Sequence, residues 1–283
     1  MTATECEFEL GEMHFAGKRW GNPEGRRVLA LHGWLDNSAS FDFLAPLLPE
    51  LDLVCADLAG HGKSDHRCHF GAYNIWQDVG EVFAMADALG WETFSLLGHS
   101  RGAAIAMLAA GTFPERVQNL ALIEGIYPFT TDAQDAPKQL AESILSLKQQ
   151  AAKHQTIYSM RERAIEARAN GLYKVPLADA RALAQRGLEH FEGGFTWAHD
   201  YKLMAASEVR FSRAQVEAFV NAIQAPIHLA AADAGLLATN AEVMAWLATE
   251  PKIQVEPLLG SHHLHMSGQC EAVAAWLRAS WLL

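Results

Sequence analysis

The pentapeptide Gly-His-Ser-Arg-Gly at residues 98–102 constrains the fold of this chain more than any other feature. It fits the pattern Gly-x-Ser-x-Gly and stands between two runs of different character. The apolar run 94–97 is typical of a short buried strand, and the alanine-rich run 103–110 consists of strong helix formers. Glycines on both sides permit the tight backbone path of a strand-to-helix turn. The pattern therefore predicts a sharp turn that holds Ser100 at a helix N-terminus, above the edge of a sheet.

Composition limits the class of protein and its partners. Of the 283 residues, 50% are hydrophobic and 19% are charged, which favours a folded α/β domain over a disordered chain. The formal net charge of −11, without a compact basic run, disfavours nucleic acid and anionic membranes as partners. Residues 1–10 lack the features of a secretory signal, and the apolar runs are too short to span a membrane.

The four cysteines are scattered along the chain and include no Cys-x-x-Cys pair. They are Cys6, Cys55, Cys68 and Cys270. Because we recognise no secretory signal, we expect free thiols and a cytoplasmic protein.

Predicted strands and helices alternate along most of the chain. This alternation predicts a parallel sheet that is covered by helices on both faces. Residues 127–219 interrupt the pattern with a mostly helical, polar and alanine-rich segment. We therefore expect a core domain of residues 1–126 and 220–283, and a helical cap of residues 127–219. The cap would cover the sheet edge at which open α/β sheets bind their ligands.

Four motifs follow predicted strands and together carry a family resemblance. They are His32-Gly33-Trp34, the stretch 57–64 (Asp-Leu-Ala-Gly-His-Gly-Lys-Ser), the pentapeptide 98–102 and the stretch 260–265 (Gly-Ser-His-His-Leu-His). Over nearly its whole length the chain resembles α/β-hydrolase fold proteins, and two of these regions resemble the serine hydrolase-like group. The resemblance implies a mostly parallel central sheet flanked by helices, with a helical cap insertion.

Ser100 is the candidate nucleophile, because a serine hydroxyl needs a base within hydrogen-bond reach to attack a carbonyl group. The family order of nucleophile, acid and histidine implies a base late in the chain. His262 matches the family's position for that base, with His263 and His265 as close competitors. The three histidines also suggest a metal site. We disfavour it because no Cys, Asp or Glu in this segment completes a ligand set.

The acid of the implied triad has two candidates. Many relatives carry an aspartate after the seventh strand, but Gly235 stands at that position here and Asp233 lies two residues earlier. Some relatives, including haloalkane dehalogenases, keep a catalytic carboxylate after the sixth strand, where this chain has Glu124. Either carboxylate could orient the imidazole. We favour Glu124 over Asp233.

Two backbone N–H groups are candidate donors to an oxyanion. One belongs to Arg101 at the predicted helix start, and the other to Trp34, just after His32-Gly33. The side chain of Arg101 is compatible with a position toward the pocket or with a salt bridge to the cap. Cap aromatics that could line an apolar pocket, or simply pack helices, are Phe129, Phe191, Phe195, Trp197 and Tyr201.

These residues predict a serine hydrolase that cleaves a small ester, thioester or amide through an acyl-enzyme on Ser100. One alternative keeps the fold and changes the chemistry to carbon–carbon bond hydrolysis or cofactor-free perhydrolysis. A second alternative is a weakly catalytic protein that binds a small molecule. Dehalogenase and epoxide hydrolase chemistry is disfavoured, because those relatives have Asp at the nucleophile position. We expect a small-molecule substrate and no cofactor.

Overall fold

The computed structural model of the protein describes residues 2–68 and 71–282. The predicted core ranges 1–126 and 220–283 include four residues outside the described part, namely Met1, His69, Phe70 and Leu283. The strands in chain order are β1 (Thr4–Leu10), β2 (Met13–Gly21), β3 (Arg26–Leu31), β4 (Leu51–Ala56), β5 (Phe94–His99), β6 (Val117–Ile123), β7 (Leu188–Phe191), β8 (Gly194–Trp197), β9 (Ile227–Ala234) and β10 (Ile253–Ser261).

Eight of these strands form one sheet, in the spatial order β1-β2-β4-β3-β5-β6-β9-β10. Strands β1 and β2 pair antiparallel with each other, and β2 pairs antiparallel with β4. All the pairs from β4 to β10 are parallel, so their carboxyl ends meet at one edge of the sheet. The predicted α/β-hydrolase architecture, with its mostly parallel sheet, is confirmed.

Helices cover both faces of the sheet. They are α1 (Ile75–Ala88), α2 (Arg101–Thr112), α3 (Ala136–Ala151), α4 (Arg161–Ala169), α5 (Leu177–Gly187), α6 (Arg213–Ala222), α7 (Ala241–Leu247) and α8 (Cys270–Trp281). Alternate residues of β3 enter different hydrophobic clusters: Leu29 and Leu31 join one, and Val28 and Ala30 join the other. Because successive strand side chains point to opposite faces, the sheet is buried on both sides.

The segment between β6 and β9 contains α3 to α6 and also a short β-hairpin. Strands β7 and β8 pair antiparallel, which the sequence analysis did not predict. Glu192 and Gly193 at the turn have φ values of 47° and 80°. Two successive residues with positive φ form the turn type that suits the twist of a hairpin. The Gly193-Gly194 pair therefore marks the hairpin turn and the start of β8.

The cysteines are free, as predicted, and they differ in exposure. Cys55 and Cys270 are buried, Cys6 is half-buried and Cys68 is exposed. No helix in the described part of the chain has both the length and the apolar character needed to cross a membrane.

Candidate active site

Ser100 sits on the sharp turn predicted between β5 and α2. Its backbone has φ 53° and ψ −114°, a strained conformation for a residue other than glycine. Close packing holds this turn in place. A Cβ on Gly102 would overlap the carbonyl group of Leu31, and a Cβ on Gly125 would lie 2.6 Å from the carbonyl oxygen of Ser100. Because Gly102 and Gly125 have no side chains, neighbouring backbone packs directly against this turn. That packing stabilises the strained conformation, which holds the hydroxyl of Ser100 above the sheet edge.

A continuous chain of hydrogen bonds joins Ser100, His262 and Glu124. The Oγ of Ser100 lies 3.0 Å from Nε2 of His262, and Nδ1 of His262 lies 3.1 Å from Oε2 of Glu124. Because the carboxylate only accepts hydrogen bonds, Nδ1 carries the proton and Nε2 is free to accept from the serine hydroxyl. This is the arrangement of a nucleophile, a base and a group that orients the base.

Backbone donors fix the carboxylate of Glu124. Its Oε1 accepts from the N–H of Ala232 at 2.7 Å, and its Oε2 accepts from the N–H of Leu236 at 2.7 Å. Both donors belong to β9 and the loop that follows it, and the side chain of Glu124 is buried. The carboxylate is thus held by two N–H groups as well as by His262, which restricts the orientations available to the imidazole ring.

Asp233, the second candidate for the acid, does not pair with His262. It is exposed, and its Oδ1 accepts a hydrogen bond from the N–H of Gly260 at 2.8 Å. The imidazole of His262 pairs with Glu124 instead. The physical reason is the position in β9. Asp233 belongs to the strand itself, whereas the position nearest the triad is that of Gly235, which has no side chain.

The two histidines that competed with His262 have other surroundings. Nε2 of His263 lies 3.2 Å from Oδ2 of Asp36. The ring of His265 packs against His99, with 4.2 Å between ring centroids, and also contacts Phe41. Neither nitrogen of His265 has a hydrogen-bond partner among the described residues. Burial lowers the pKa of His265 to about 3, so its ring is neutral at ordinary pH.

The loop after β3 carries Trp34, the predicted second oxyanion donor. His32 braces this loop: its Nδ1 donates to the carbonyl of Gly33 at 2.8 Å, and its Nε2 accepts from the N–H of Leu58 at 2.9 Å. The next N–H, that of Leu35, donates to Nε2 of His61. The indole of Trp34 donates to the carbonyl of Leu203 at 2.9 Å. Two buried imidazoles thus hold the backbone on both sides of Trp34.

Arg101, the other predicted donor residue, begins α2. The N–H of a first helical residue has no acceptor within its own helix, which leaves it free for a ligand. The side chain takes neither of the two expected positions. Its guanidinium pairs with Asp78 of α1 at 2.6 Å and donates to the carbonyl of Tyr73. This ion pair ties the turn that carries Ser100 to α1.

A cavity of about 250 Å³ lies between the loop after β3 and the segment between β6 and β9. Tyr173 connects it with the candidate triad, because its ring centroid lies 5.8 Å from that of His262. Of the five cap aromatics considered, Trp197 and Tyr201 line this cavity. The other side chains that line it include Trp34, Leu35, Tyr158, Arg168, His199 and Met204.

The sequence analysis missed a buried ion pair beside the site. Oδ1 of Asp36 accepts from Arg168 of α4 at 2.6 Å, and its side chain is fully buried. Burial alone would raise the pKa of Asp36, but His263 and Arg168 outweigh it and hold the pKa well below the usual range of a carboxyl group. Asp36 stands near the His32 motif, but its partner lies 132 residues away, so no local pattern could reveal the pair.

The comparisons with known proteins agree with this architecture. Residues 26–214 match the family model described as alpha/beta hydrolase fold. The serine hydrolase-like protein of Danio rerio is 28% identical over 97% of this chain and 88% of its own length. A hypothetical protein from Pseudomonas aeruginosa PAO1 has a crystal structure with a TM-score of 0.95, at 40% identity over 99% of both chains.

A thioesterase domain from the curacin biosynthetic pathway shares the fold. It has a TM-score of 0.86 at 24% identity, over 98% of this chain and 99% of that domain. The family model matches well over half of the sequence, and the Danio rerio relative matches nearly all of it. The chain therefore belongs to the α/β-hydrolase family, in which it resembles the serine hydrolase-like proteins.

Proposed function

We propose that this protein is a serine hydrolase that cleaves a small ester, thioester or amide through an acyl-enzyme on Ser100. The observation that carries the proposal is the unbroken hydrogen-bond chain from Ser100 through His262 to Glu124. Each of these groups has a chemical role that its position allows. Family membership supports hydrolase chemistry in general, and the three side chains support the serine mechanism in particular.

Acylation begins with proton transfer from the hydroxyl of Ser100 to Nε2 of His262. The oxygen attacks the carbonyl carbon of the substrate, and the electron pair of the carbonyl bond moves to oxygen. The backbone N–H groups of Trp34 and Arg101 are our proposed donors to that oxyanion. His262 then gives its proton to the leaving group as the tetrahedral intermediate collapses to the acyl-enzyme.

Deacylation repeats these steps with water as the nucleophile. Nε2 of His262 takes a proton from water, the hydroxide oxygen attacks the acyl carbon, and the proton returns to the oxygen of Ser100. The carboxylate of Glu124 stabilises the imidazolium that forms in each half-reaction and keeps the ring in the required tautomer. The products are a carboxylic acid and the free enzyme.

Residues 127–219 are proposed to act as a cap that closes the acyl pocket. Support comes from the residues that this segment contributes to the cavity beside His262, among them Tyr173, Trp197 and Met204. Most of the cavity wall is apolar or aromatic, which favours an acyl group with a hydrocarbon or aromatic portion.

The alternative of a weakly catalytic binding protein is supported only by the displacement of Asp233, two residues before the position that the resemblance implies for the acid. Asp233 is displaced, but Glu124 contacts His262, so the feature that favoured loss of turnover no longer supports it. Carbon–carbon bond hydrolysis and perhydrolysis use the same residues, and no contact in the described structure favours them over acyl transfer.

Hydrolysis of p-nitrophenyl acetate, butyrate and octanoate by the wild type and by Ser100→Ala tests the proposal. We expect turnover by the wild type and a loss of at least about 10³-fold in kcat for the variant, with an unchanged melting temperature. Equal rates for the two proteins on every ester would overturn the esterase mechanism. A panel of diketones would then test carbon–carbon bond hydrolysis.

A further inference from the structure

Three side chains that could bind a metal converge directly behind the catalytic residues. They are Asp36 in the loop after β3, His99 at the end of β5 and His263 in the loop after β10. All three are buried, and their ligand atoms lie within 4.8 Å of one another. His99 precedes Ser100 and His263 follows His262, so the cluster joins the segments that carry the nucleophile and the base.

Hydrogen bonding determines which ring nitrogen of His99 is unprotonated and has an available lone pair. Nε2 lies 3.0 Å from the carbonyl oxygen of His262, and a carbonyl oxygen only accepts. Nε2 therefore carries the proton, and Nδ1 of the neutral ring does not. This Nδ1 has no hydrogen-bond partner among the described residues, and it lies 3.8 Å from Oδ2 of Asp36. The buried lone pair of Nδ1 therefore has no donor and faces a carboxylate oxygen, and a cation between the two atoms would relieve that contact.

The third group is His263, whose Nδ1 has no hydrogen-bond partner among the described residues. To bind a metal, the ring would carry its proton on Nδ1 and leave the lone pair of Nε2 free for the ion. This Nε2 lies 3.2 Å from Oδ2 of Asp36. A tetrahedral Zn²⁺, about 2.0–2.2 Å from each nitrogen and oxygen ligand, separates its ligands by roughly 3.3–3.5 Å. The two separations from Oδ2 of Asp36, 3.2 and 3.8 Å, bracket that value, and the two imidazole nitrogens lie within 4.8 Å of each other. Small side-chain movements would bring two imidazoles and one carboxylate oxygen to bonding distance.

The surrounding contacts resemble the outer shell of a metal site. A histidine ligand usually donates its other ring N–H to a carbonyl or carboxylate, and His99 does so to the carbonyl of His262. A carboxylate ligand is usually hydrogen-bonded through its second oxygen, and Oδ1 of Asp36 accepts from Arg168 at 2.6 Å. Gly33 lies over the pair, because a Cβ there would come within 2.8 Å of Nδ1 of His99 and 3.1 Å of Oδ2 of Asp36.

We propose that Asp36, His99 and His263 form a binding site for a divalent first-row transition metal, of which Zn²⁺ fits the ligand set best. Two imidazoles and one carboxylate oxygen are ligands that Zn²⁺ uses, and water can complete the coordination. The bound ion would cross-link three segments: the loop after β3, the end of β5 and the loop that carries His262. Its role is structural, and it is independent of whether the substrate is an ester.

The test uses the full chain, stripped with a chelator, incubated with Zn²⁺ and then desalted. We expect about one retained Zn²⁺ per wild-type chain by elemental analysis. His263→Asn should reduce Zn²⁺ retention to background, because the variant lacks one imidazole ligand. Asparagine is chosen because its amide can still donate a hydrogen bond to Asp36. The matched control is His190→Asn at an exposed histidine, which should retain as much Zn²⁺ as the wild type.

Co²⁺ provides a second readout, since its visible absorption reports tetrahedral coordination. We expect absorption bands with the wild type and with His190→Asn, and none with His263→Asn. If His263→Asn fails to fold, Asp36→Asn and Gly33→Ala provide the same comparison. Absence of stoichiometric Zn²⁺ from the wild type would overturn the proposal. Undiminished retention by a folded His263→Asn variant would overturn it equally.

Discussion

The carboxylate of Glu124 occupies the space where a side chain at position 235 would begin. A Cβ built on Gly235 would overlap both oxygens of that carboxylate. Residue 235 is the position at which the family resemblance implies an aspartate, and its backbone does not have the positive φ that would require glycine. Glu124 can therefore hold its carboxylate beside His262 only because residue 235 has no side chain.

This relationship predicts that the acid can be relocated. Glu124→Ala should lower kcat by about 10²–10⁴-fold, because His262 loses the group that orients it. Adding Gly235→Asp to that variant places a carboxylate in the space left by Glu124, and we expect at least about a tenfold recovery of kcat. The matched control is Gly235→Asn in the same background, which has the same size without the charge. Equal activity of the two double variants would contradict the prediction.

The two candidate acids should differ sharply when each is replaced by its amide. Glu124→Gln should lower kcat by about 10²-fold or more, since an amide does not stabilise the imidazolium. It should also lower the free energy of unfolding by about 1–3 kcal/mol, because one of the two backbone N–H donors to the buried side chain loses its carboxylate acceptor. The kcat of Asp233→Asn, a substitution at an exposed position, should stay within about twofold of the wild-type value. Ester hydrolysis and urea denaturation measure both effects, and a larger loss of kcat for Asp233→Asn would refute this assignment.

The pocket beside His262 should set the preference for acyl chain length. Met204 lines the cavity and is half-buried, so Met204→Ala enlarges it. We expect the ratio of kcat/KM for the octanoate ester to that for the butyrate ester to rise by about tenfold, the scale of a few methylene contacts. Leu172 also lines the cavity, but it is 80% exposed, and Leu172→Ala should leave the ratio nearly unchanged. A ratio that moves equally in both variants would show that this cavity does not bind the acyl chain.

His199 should make the folded protein less stable in acid. Burial, with smaller effects from His66 and Arg168, lowers the pKa of His199 from 6.5 to about 4. Its contribution to stability is therefore complete above pH 6.5. That contribution is lost as the pH falls toward 4, because the unfolded chain binds a proton that the folded chain does not.

The variant His199→Asn removes this proton uptake. Between pH 7 and pH 5 its free energy of unfolding should fall less than that of the wild type, by about 1 kcal/mol, allowing for partial solvent access. Urea denaturation at the two pH values provides the measurement, with His154→Asn at an exposed position as the control. A wild-type pH dependence that persists in His199→Asn would rule out this role for His199.

Local patterns predicted the parts of the molecule that depend on nearby residues. The glycines around Ser100 and the flanking strand and helix predicted the turn, and the motif at the end of β10 predicted His262. The fold followed from the alternation of strands and helices. The hairpin of β7 and β8 was missed because its strands are only four residues each, too short for a clear alternation of polar and apolar residues.

Long-range contacts explain what the sequence could not decide. Whether Glu124 or Asp233 meets His262 depends on which strand end lies beside the loop after β10, and both ends are near it. The buried group of Asp36, His99 and His263 joins three segments that are far apart in the chain. A search for metal ligands within the histidine-rich stretch 260–265 alone could not include Asp36.

The most direct test of the serine mechanism is covalent labelling with a fluorophosphonate probe, followed by mass spectrometry of the peptides. We predict rapid labelling of one residue, Ser100, because His262 and Glu124 activate its hydroxyl. Labelling should slow by at least about 10²-fold in His262→Asn while the protein remains folded. A wild-type protein that does not react, or that reacts at another residue, would contradict the central claim that Ser100, His262 and Glu124 act as a catalytic triad.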